Sequence, residues 1–170
     1  RHFITLSLKT DTNIAIIGAG IIGLSIAAEL SKTHNGVFVL EKFNKFGQET
    51  SSRNSEVIHS GIYYPTGSLK AKLCVLGREM LYDYCNKKEV QYNKCGKLIV
   101  ATDDNEEKQL NGILKQSQQN GVTDGEMITK GKVKELEPHI NAQSALYYPS
   151  TGIIDSHGLM KQLETDAILN

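Results

Sequence analysis

The stretch Ile14–Leu30, IAIIGAGIIGLSIAAEL, decides the fold. Ile14, Ala15, Ile16 and Ile17 form a short uncharged run, rich in β-branched residues, as expected of a central parallel strand. Gly18, Gly20 and Gly23 follow at G-x-G-x-x-G spacing. In that pattern the first glycine permits a sharp turn and the second lets backbone approach a pyrophosphate. The third lets a helix lie close to the strand. The helix start then offers unbonded N–H groups and the positive end of its dipole to phosphates. Ala27, one turn after Gly23, is again small enough for close packing.

A second strand candidate, Val37-Phe38-Val39-Leu40, ends at Glu41, 18 residues beyond Gly23. That is close to the distance at which an acidic side chain meets a ribose hydroxyl. An acid there favours a free 2′-hydroxyl, so FAD or NAD rather than NADP. The plainer alternative is an ordinary βαβ unit with a chance glycine pattern.

The bulk properties narrow the class. The chain has 170 residues, about one domain by length. Its 19 basic and 19 acidic residues balance, which argues against a nucleic-acid partner. Cys74, Cys85 and Cys95 form no C-x-x-C pair, so free thiols in a reducing compartment are expected rather than a disulfide framework. The uncharged run Ile14–Ala28 is 15 residues long, short of the roughly 20 that span a bilayer. No transmembrane segment is expected.

Along the chain, residues 1–12 read as a loose leader, beginning with Arg1 rather than Met. The βαβ unit spans about 13–41, with Asn35-Gly36 as its turn into the second strand. Residues 42–60 are polar and read as a loop with a short helix. Leu69, Leu73, Leu76, Met80 and Tyr84 recur at helical spacing and predict a helix over 69–88 with that stripe as its packing face. Further expectations are a strand at 95–102, a surface helix over 105–119 capped by Asp103 or Asp104, and a strand at 126–129. A helical turn at 131–136, a strand at 145–148, a turn at 152–155 and a final helix follow. The fold class is therefore α/β: a partial Rossmann-like nucleotide-binding domain with an inserted α+β segment. The expected divisions are 13–75, 76–150 and 151–170, the last being a helix that returns to the first domain.

Three stretches carry a family resemblance. They are IAIIGAGIIGLSIAAEL with VFVLEK, then SSRNSEVIHSGIYYPTGSLKAKLCVLGREMLYDYC from Ser51 to Cys85, then LYYPSTGIIDSHGLMKQLETDA from Leu146 to Ala167. The chain resembles the N-terminal part of FAD-dependent oxidoreductases of the D-amino-acid oxidase and glycerol-3-phosphate dehydrogenase superfamily. IHSGIYY followed by GSLKAKLC is similar to its L-2-hydroxyglutarate dehydrogenase branch.

The resemblance implies FAD as cofactor. Gly18, Gly20 and Gly23 would cradle its pyrophosphate, Glu41 would hold the adenosine ribose, and Lys42 would flank the adenine side. Ser51, Ser52, Arg53, Asn54 and Ser55 would run along the cofactor. His59 and Gly61 would lie at the isoalloxazine, without a covalent link as in the nearer relatives. A purely structural His59 is the plain alternative. Tyr63 and Tyr64 would line the substrate pocket or pack beneath it.

The implied reaction oxidises a 2-hydroxy acid to a 2-oxo acid, with His59 as the base; a histidine has a suitable ordinary pKa of about 6.5. The alternatives are an amine, amino-acid or glycerol-3-phosphate oxidoreductase on the same scaffold, or a non-catalytic fragment. Members of this family are longer. The resemblance therefore implies an N-terminal part that a C-terminal half, continuous or separately encoded, would complete. A lone N-terminal part should expose an apolar sheet edge. A cytoplasmic location, with peripheral membrane contact left open, is the accompanying expectation.

Overall fold

A computed structural model describes residues 13–170; the leader expected at residues 1–12 lies outside them. The chain divides into two compact units. One takes the described residues up to Ser55 together with Ser156–Asn170, and the other takes Glu56–Asp155.

The first unit is built on the parallel pair β1 (Ile14–Ile17) and β2 (Val37–Leu40), in register Ile14 to Val37 through Ile17 to Leu40. Helix α1 (Ile21–Leu30) makes the crossover. It ends in a turn at Asn35-Gly36, where Gly36 takes a left-handed φ of 69°. The terminal helix α5 (Ser156–Leu169) packs against α1, and Leu24, Ala27 and Ala28 of α1 are buried. Ala27 thus has the close-packing role its size predicts. Among the described residues β1 has one strand neighbour, not the two of a central strand. Ile17, Phe38 and Leu40 lie exposed on one face of the pair. Period-two alternation puts Ile16 and Val39 on the opposite, partly covered face.

The second unit holds two antiparallel sheets. In one, β7 (Ser144–Tyr148) lies between β5 (Lys97–Ala101) and β6 (Glu126–Thr129). Leu146 and Tyr148 point to one face, where Leu110 of α3 (Asp104–Gln119) joins them with Ile62, Ala101 and Val122. Ala145 points to the other face, against Val133 of α4 (Lys130–Leu136), Ile128 and Ala142. Tyr148 Oη donates to Ser117 Oγ at 2.8 Å, and Ser117 Oγ donates to the Leu114 carbonyl at 2.8 Å, so this buried polar pair is satisfied. Asp103 is the cap of α3, its carboxylate accepting from the Asn105 and Glu106 nitrogens.

The other sheet escapes the sequence pattern. β8 (Gly152–Ile154) lies between β3 (Val57–Ile58) and β4 (Tyr92–Asn93). Strands of two and three residues carry no readable alternation, and 152–155 reads as a turn. This sheet draws 56–75 and 151–155 into the second unit. The compact units divide at 55/56 and 155/156.

Helix α2 spans Leu69–Lys88, capped by Ser68, whose hydroxyl accepts from the Ala71 nitrogen at 3.2 Å. Its length agrees with the expectation, but its packing face does not. Leu69, Leu73, Leu76 and Met80 are exposed; the buried positions are Ala71, Tyr82 and Cys85. Arg78 lies on the same inward side and donates to Ser150 Oγ at 2.6 Å. A second stripe with the same period thus faces inward, and a small residue and an arginine disguise it.

Candidate functional site

In the first unit, β1 runs into the glycine turn. Gly18 takes φ +99°, a left-handed conformation that favours glycine, and its nitrogen bonds the Leu40 carbonyl at 2.7 Å. A Cβ on Gly23 would lie 1.9 Å from the Gly18 carbonyl oxygen, so only glycine allows α1 to start so close to β1. Gly20 is the cap position of α1 and supplies no side-chain cap. The first-turn N–H groups have no intrahelical partners, which makes this end an anion site in waiting. One of them is engaged: the Ile21 nitrogen donates to Ser51 Oγ at 3.0 Å.

Glu41 ends β2 with its carboxylate beside that turn. One oxygen accepts from the Ala19 nitrogen at 2.8 Å and the other from the Phe43 nitrogen at 3.0 Å. These donors, Ala19 first, hold its carboxyl below the usual range, so it is ionised at neutral pH. A cleft of about 350 Å³ opens alongside, lined by Ala19, Val37, Glu41, Phe43 and Phe46 among others. The fit to FAD's adenosine diphosphate end rests on three things: a glycine cradle that a Cβ would fill, a helix start whose cap residue has no side chain, and a carboxylate that can accept from a ribose hydroxyl.

The other expected cofactor residues of this unit are placed differently. Lys42 pairs with Glu49 at 2.8 Å and lies over the Phe43 ring; Phe43 to Phe46, rather than Lys42, line the cleft. Ser52 Oγ donates to the Gly47 carbonyl, and Asn54 Nδ2 donates to the Ser51 carbonyl at 2.9 Å. Both therefore shape their own loop. Arg53 is exposed. Two residues of this loop reach the glycine turn: Ser51, in the 3-10 turn Thr50–Ser52, through its side chain, and Gly47, whose nitrogen donates to the Ala19 carbonyl at 2.9 Å.

In the second unit, His59 follows β3 and lines a small cleft with Ser60, Gly61, Ile62, Tyr63, Tyr64, Lys97 and Thr151. Ser60 and Thr151 share a buried hydroxyl–hydroxyl bond of 2.9 Å. Gly61 has φ +88°, with the Ala71 carbonyl and Val75 each 3.1 Å from where a Cβ would be. Asn120 at the end of α3 donates to the carbonyls of Gly61 and Tyr64 at 2.9 and 2.8 Å, pinning the loop that follows His59.

Partial loss of solvent pushes the His59 pKa down, and the Lys97 and Lys70 ammonium groups push it further the same way. Neutral imidazole is thereby favoured, the form that can accept a proton. The sequence reading missed Lys70 and Lys97. Lysines are ordinarily surface residues, and the signal available was Lys97 opening an apolar strand. Among the described residues no cluster of His, Cys, Asp and Glu is arranged to hold a metal ion.

A comparison with protein families matches residues 13–170 to the family described as FAD dependent oxidoreductase. The chain belongs to the FAD-dependent oxidoreductase family. Its fold and its glycine turn are those of a member.

Two relatives are similar over most of this chain. The mitochondrial L-2-hydroxyglutarate dehydrogenase of Nematostella vectensis is 46% identical over 157 residues, covering 91% of this chain and 34% of the relative. That of Arabidopsis thaliana is 44% identical, covering 91% of this chain and 32% of the relative. The FAD-bound L-alpha-glycerophosphate oxidase of Mycoplasma pneumoniae superposes with a TM-score of 0.88 at 31% identity, over 95% of this chain and 43% of that one. The chain thus spans about a third of the length of the curated relatives it matches. Among the described residues no helix is long and apolar enough to cross a membrane.

Proposed function

We propose that this chain is the N-terminal, FAD-binding part of a dehydrogenase that oxidises a 2-hydroxy acid, with L-2-hydroxyglutarate as substrate and 2-oxoglutarate as product. The observation that carries this is the 46% identity to an L-2-hydroxyglutarate dehydrogenase across 91% of the chain. Gly18, Gly20 and Gly23 bring the start of α1 to the pyrophosphate, and Glu41 accepts from the adenosine ribose. Ser51 supports the turn through the Ile21 nitrogen. Phe43 and Phe46 wall the adenosine side. Bound FAD supplies the acceptor of the substrate's α-hydride.

His59 takes the proton of the substrate hydroxyl at a ring nitrogen. Its lowered pKa keeps that nitrogen free of a proton at neutral pH. Tyr63 and Tyr64 form the aromatic wall beside it. Arg53, Asn54, Ser52 and Lys42 contribute by shaping the loop and its charge. Gly61 holds the turn after His59. A longer C-terminal part, continuous with this chain or separately encoded, completes the enzyme.

Among the described residues Cys74, Cys85 and Cys95 are free. The mitochondrial location in the relatives' names supports a mitochondrial location here in place of the cytoplasmic one expected from sequence.

The likeness to the glycerophosphate oxidase favours glycerol 3-phosphate as the second reading, at the lower identity of 31%. Steady-state oxidation by the complete protein with a dye acceptor separates the two. The proposal expects 2-oxoglutarate to accumulate from L-2-hydroxyglutarate, with little turnover of glycerol 3-phosphate or amino acids. Turnover of either of those in place of the hydroxy acid rejects it.

A further inference from the structure

Two lysines beside His59 have no use in the chemistry described so far. Lys97, the first residue of β5, is half-buried and lines the His59 cleft, its ammonium 4.6 Å from the centre of the Tyr63 ring. Lys70, in the first turn of α2, holds its ammonium 4.4 Å from the centre of the Tyr64 ring. Among the described residues neither ammonium has a carboxylate within ion-pairing distance, although acids equal bases in the chain as a whole. Lys32, Lys42 and Lys132 find such partners in Glu29, Glu49 and Glu135, whereas Lys94, 4.2 Å from the centre of the Tyr82 ring, stands over an aromatic face as Lys97 does.

Lys97 is half-buried and Lys70 exposed, and both act on the same imidazole; a half-buried cation without a counter-ion is unfavourable unless something anionic arrives. Burial already pushes the Lys97 pKa down, and both lysines depress that of His59. The tyrosine faces fix where the two charges stand, so their positions are set before any ligand binds. The adjoining hydroxyls of Ser60 and Thr151 satisfy each other and so leave the charge to the lysines. A dianion answers such a pair better than a monoanion does.

We propose that Lys97 binds a carboxylate of the substrate, with Lys70 adding to the same field, and that this pair selects dicarboxylic over monocarboxylic 2-hydroxy acids. The assignment rests on the proposed reading of the protein as a 2-hydroxy acid dehydrogenase. It adds the residues by which a second carboxylate is recognised.

Equilibrium binding to the oxidised holoenzyme of the complete protein tests it, read from the perturbation of the flavin spectrum at constant ionic strength. The probes are glutarate, a dianion, and its half-amide glutaramate, a monoanion of the same shape. Wild type should prefer glutarate. Lys97→Met should weaken glutarate by about tenfold or more and leave glutaramate nearly unchanged, so the preference collapses. Lys97→Arg should keep most of the preference, and Lys70→Met should reduce it by a smaller factor. Retained flavin and an unchanged melting temperature guard against a folding defect.

Unchanged glutarate binding in Lys97→Met, or equal weakening of both probes, overturns the assignment even if the enzyme oxidises L-2-hydroxyglutarate. A Lys97-dependent glutarate preference in a protein that does not oxidise that substrate would keep the anion site and reject the proposed reaction. The two failures are therefore distinguishable.

Discussion

The Glu41 carboxylate accepts a hydrogen bond of 2.8 Å from the backbone nitrogen of Ala19, the residue between the first two glycines of the turn. This contact ties the end of β2 to the glycine turn. It also leaves an ionised acceptor where a ribose hydroxyl is expected. Glu41→Ala in the complete protein should weaken FAD binding by about tenfold or more. Glu41→Gln should do less damage, because an amide oxygen still accepts. Flavin titration of the apoprotein measures both, and unaltered affinity in Glu41→Ala would remove Glu41 from the site.

The glycines should not be equivalent. On Gly23 a Cβ meets the Gly18 carbonyl oxygen at 1.9 Å, which is backbone and cannot swing away. Gly23→Ala should destabilise the protein by about 1–3 kcal/mol, the usual range for overpacking. On Gly20 the Cβ meets Ser51 Oγ at 2.9 Å, a side-chain atom that can rotate. Gly20→Ala should therefore melt near wild type while its flavin affinity falls. Thermal melts paired with flavin content separate the two outcomes.

The environment of His59 sets a pH dependence with a definite sign. Desolvation and the two lysines disfavour imidazolium, so its pKa is lowered. As a base it works when neutral, so the acid limb of kcat/KM should lie below the ordinary histidine value of about 6.5. Removing a positive neighbour raises the pKa again. Lys97→Met should thus move that limb to higher pH, whatever it does to KM. His59→Gln should lower kcat by about 10²–10⁴-fold, the usual contribution of a general base. A pH–rate series on the three proteins checks this, and an acid limb that does not move in Lys97→Met contradicts it.

The core of the second unit makes a stability prediction independent of any cofactor. Leu146, at the centre of β7, is fully buried, and Leu146→Ala should cost about 2–5 kcal/mol. Tyr148→Phe removes only the donor to Ser117, whose own bond to the Leu114 carbonyl remains. It should cost about 0.5–1.5 kcal/mol. Denaturant unfolding should rank the variants in that order; a Tyr148→Phe loss as large as that of Leu146→Ala would contradict it.

The elements with long or distinctive signals were legible in sequence. The glycine turn reads from three residues because each glycine has a separate steric task, and α2 reads correctly from Leu69 to Lys88. The face of α2 does not read, because two stripes share the helical period and the more apolar one is exposed. The sheet of β3, β8 and β4 does not read, because its strands are too short to alternate.

Gly18, Gly23, Glu41 and His59 were named from spacing and resemblance, and their roles at the site are part of the proposal. The engagement of Lys42 with Glu49, the reach of Ser51 to the Ile21 nitrogen and the placement of Lys97 beside His59 depend on tertiary contacts. No local pattern encodes those. The exposed row of Ile17, Phe38 and Leu40 lies on a face of the parallel pair, not along the edge that the sequence reading named; parallel sheets ordinarily cover both faces.

The central claim is that this chain forms the FAD-binding part of a 2-hydroxy acid dehydrogenase. Anaerobic mixing of the oxidised, complete protein with one equivalent of L-2-hydroxyglutarate tests it most directly. The account predicts that the visible flavin band bleaches and that 2-oxoglutarate forms in matching amount. A flavin that stays oxidised with L-2-hydroxyglutarate yet bleaches with glycerol 3-phosphate or an amino acid would contradict it.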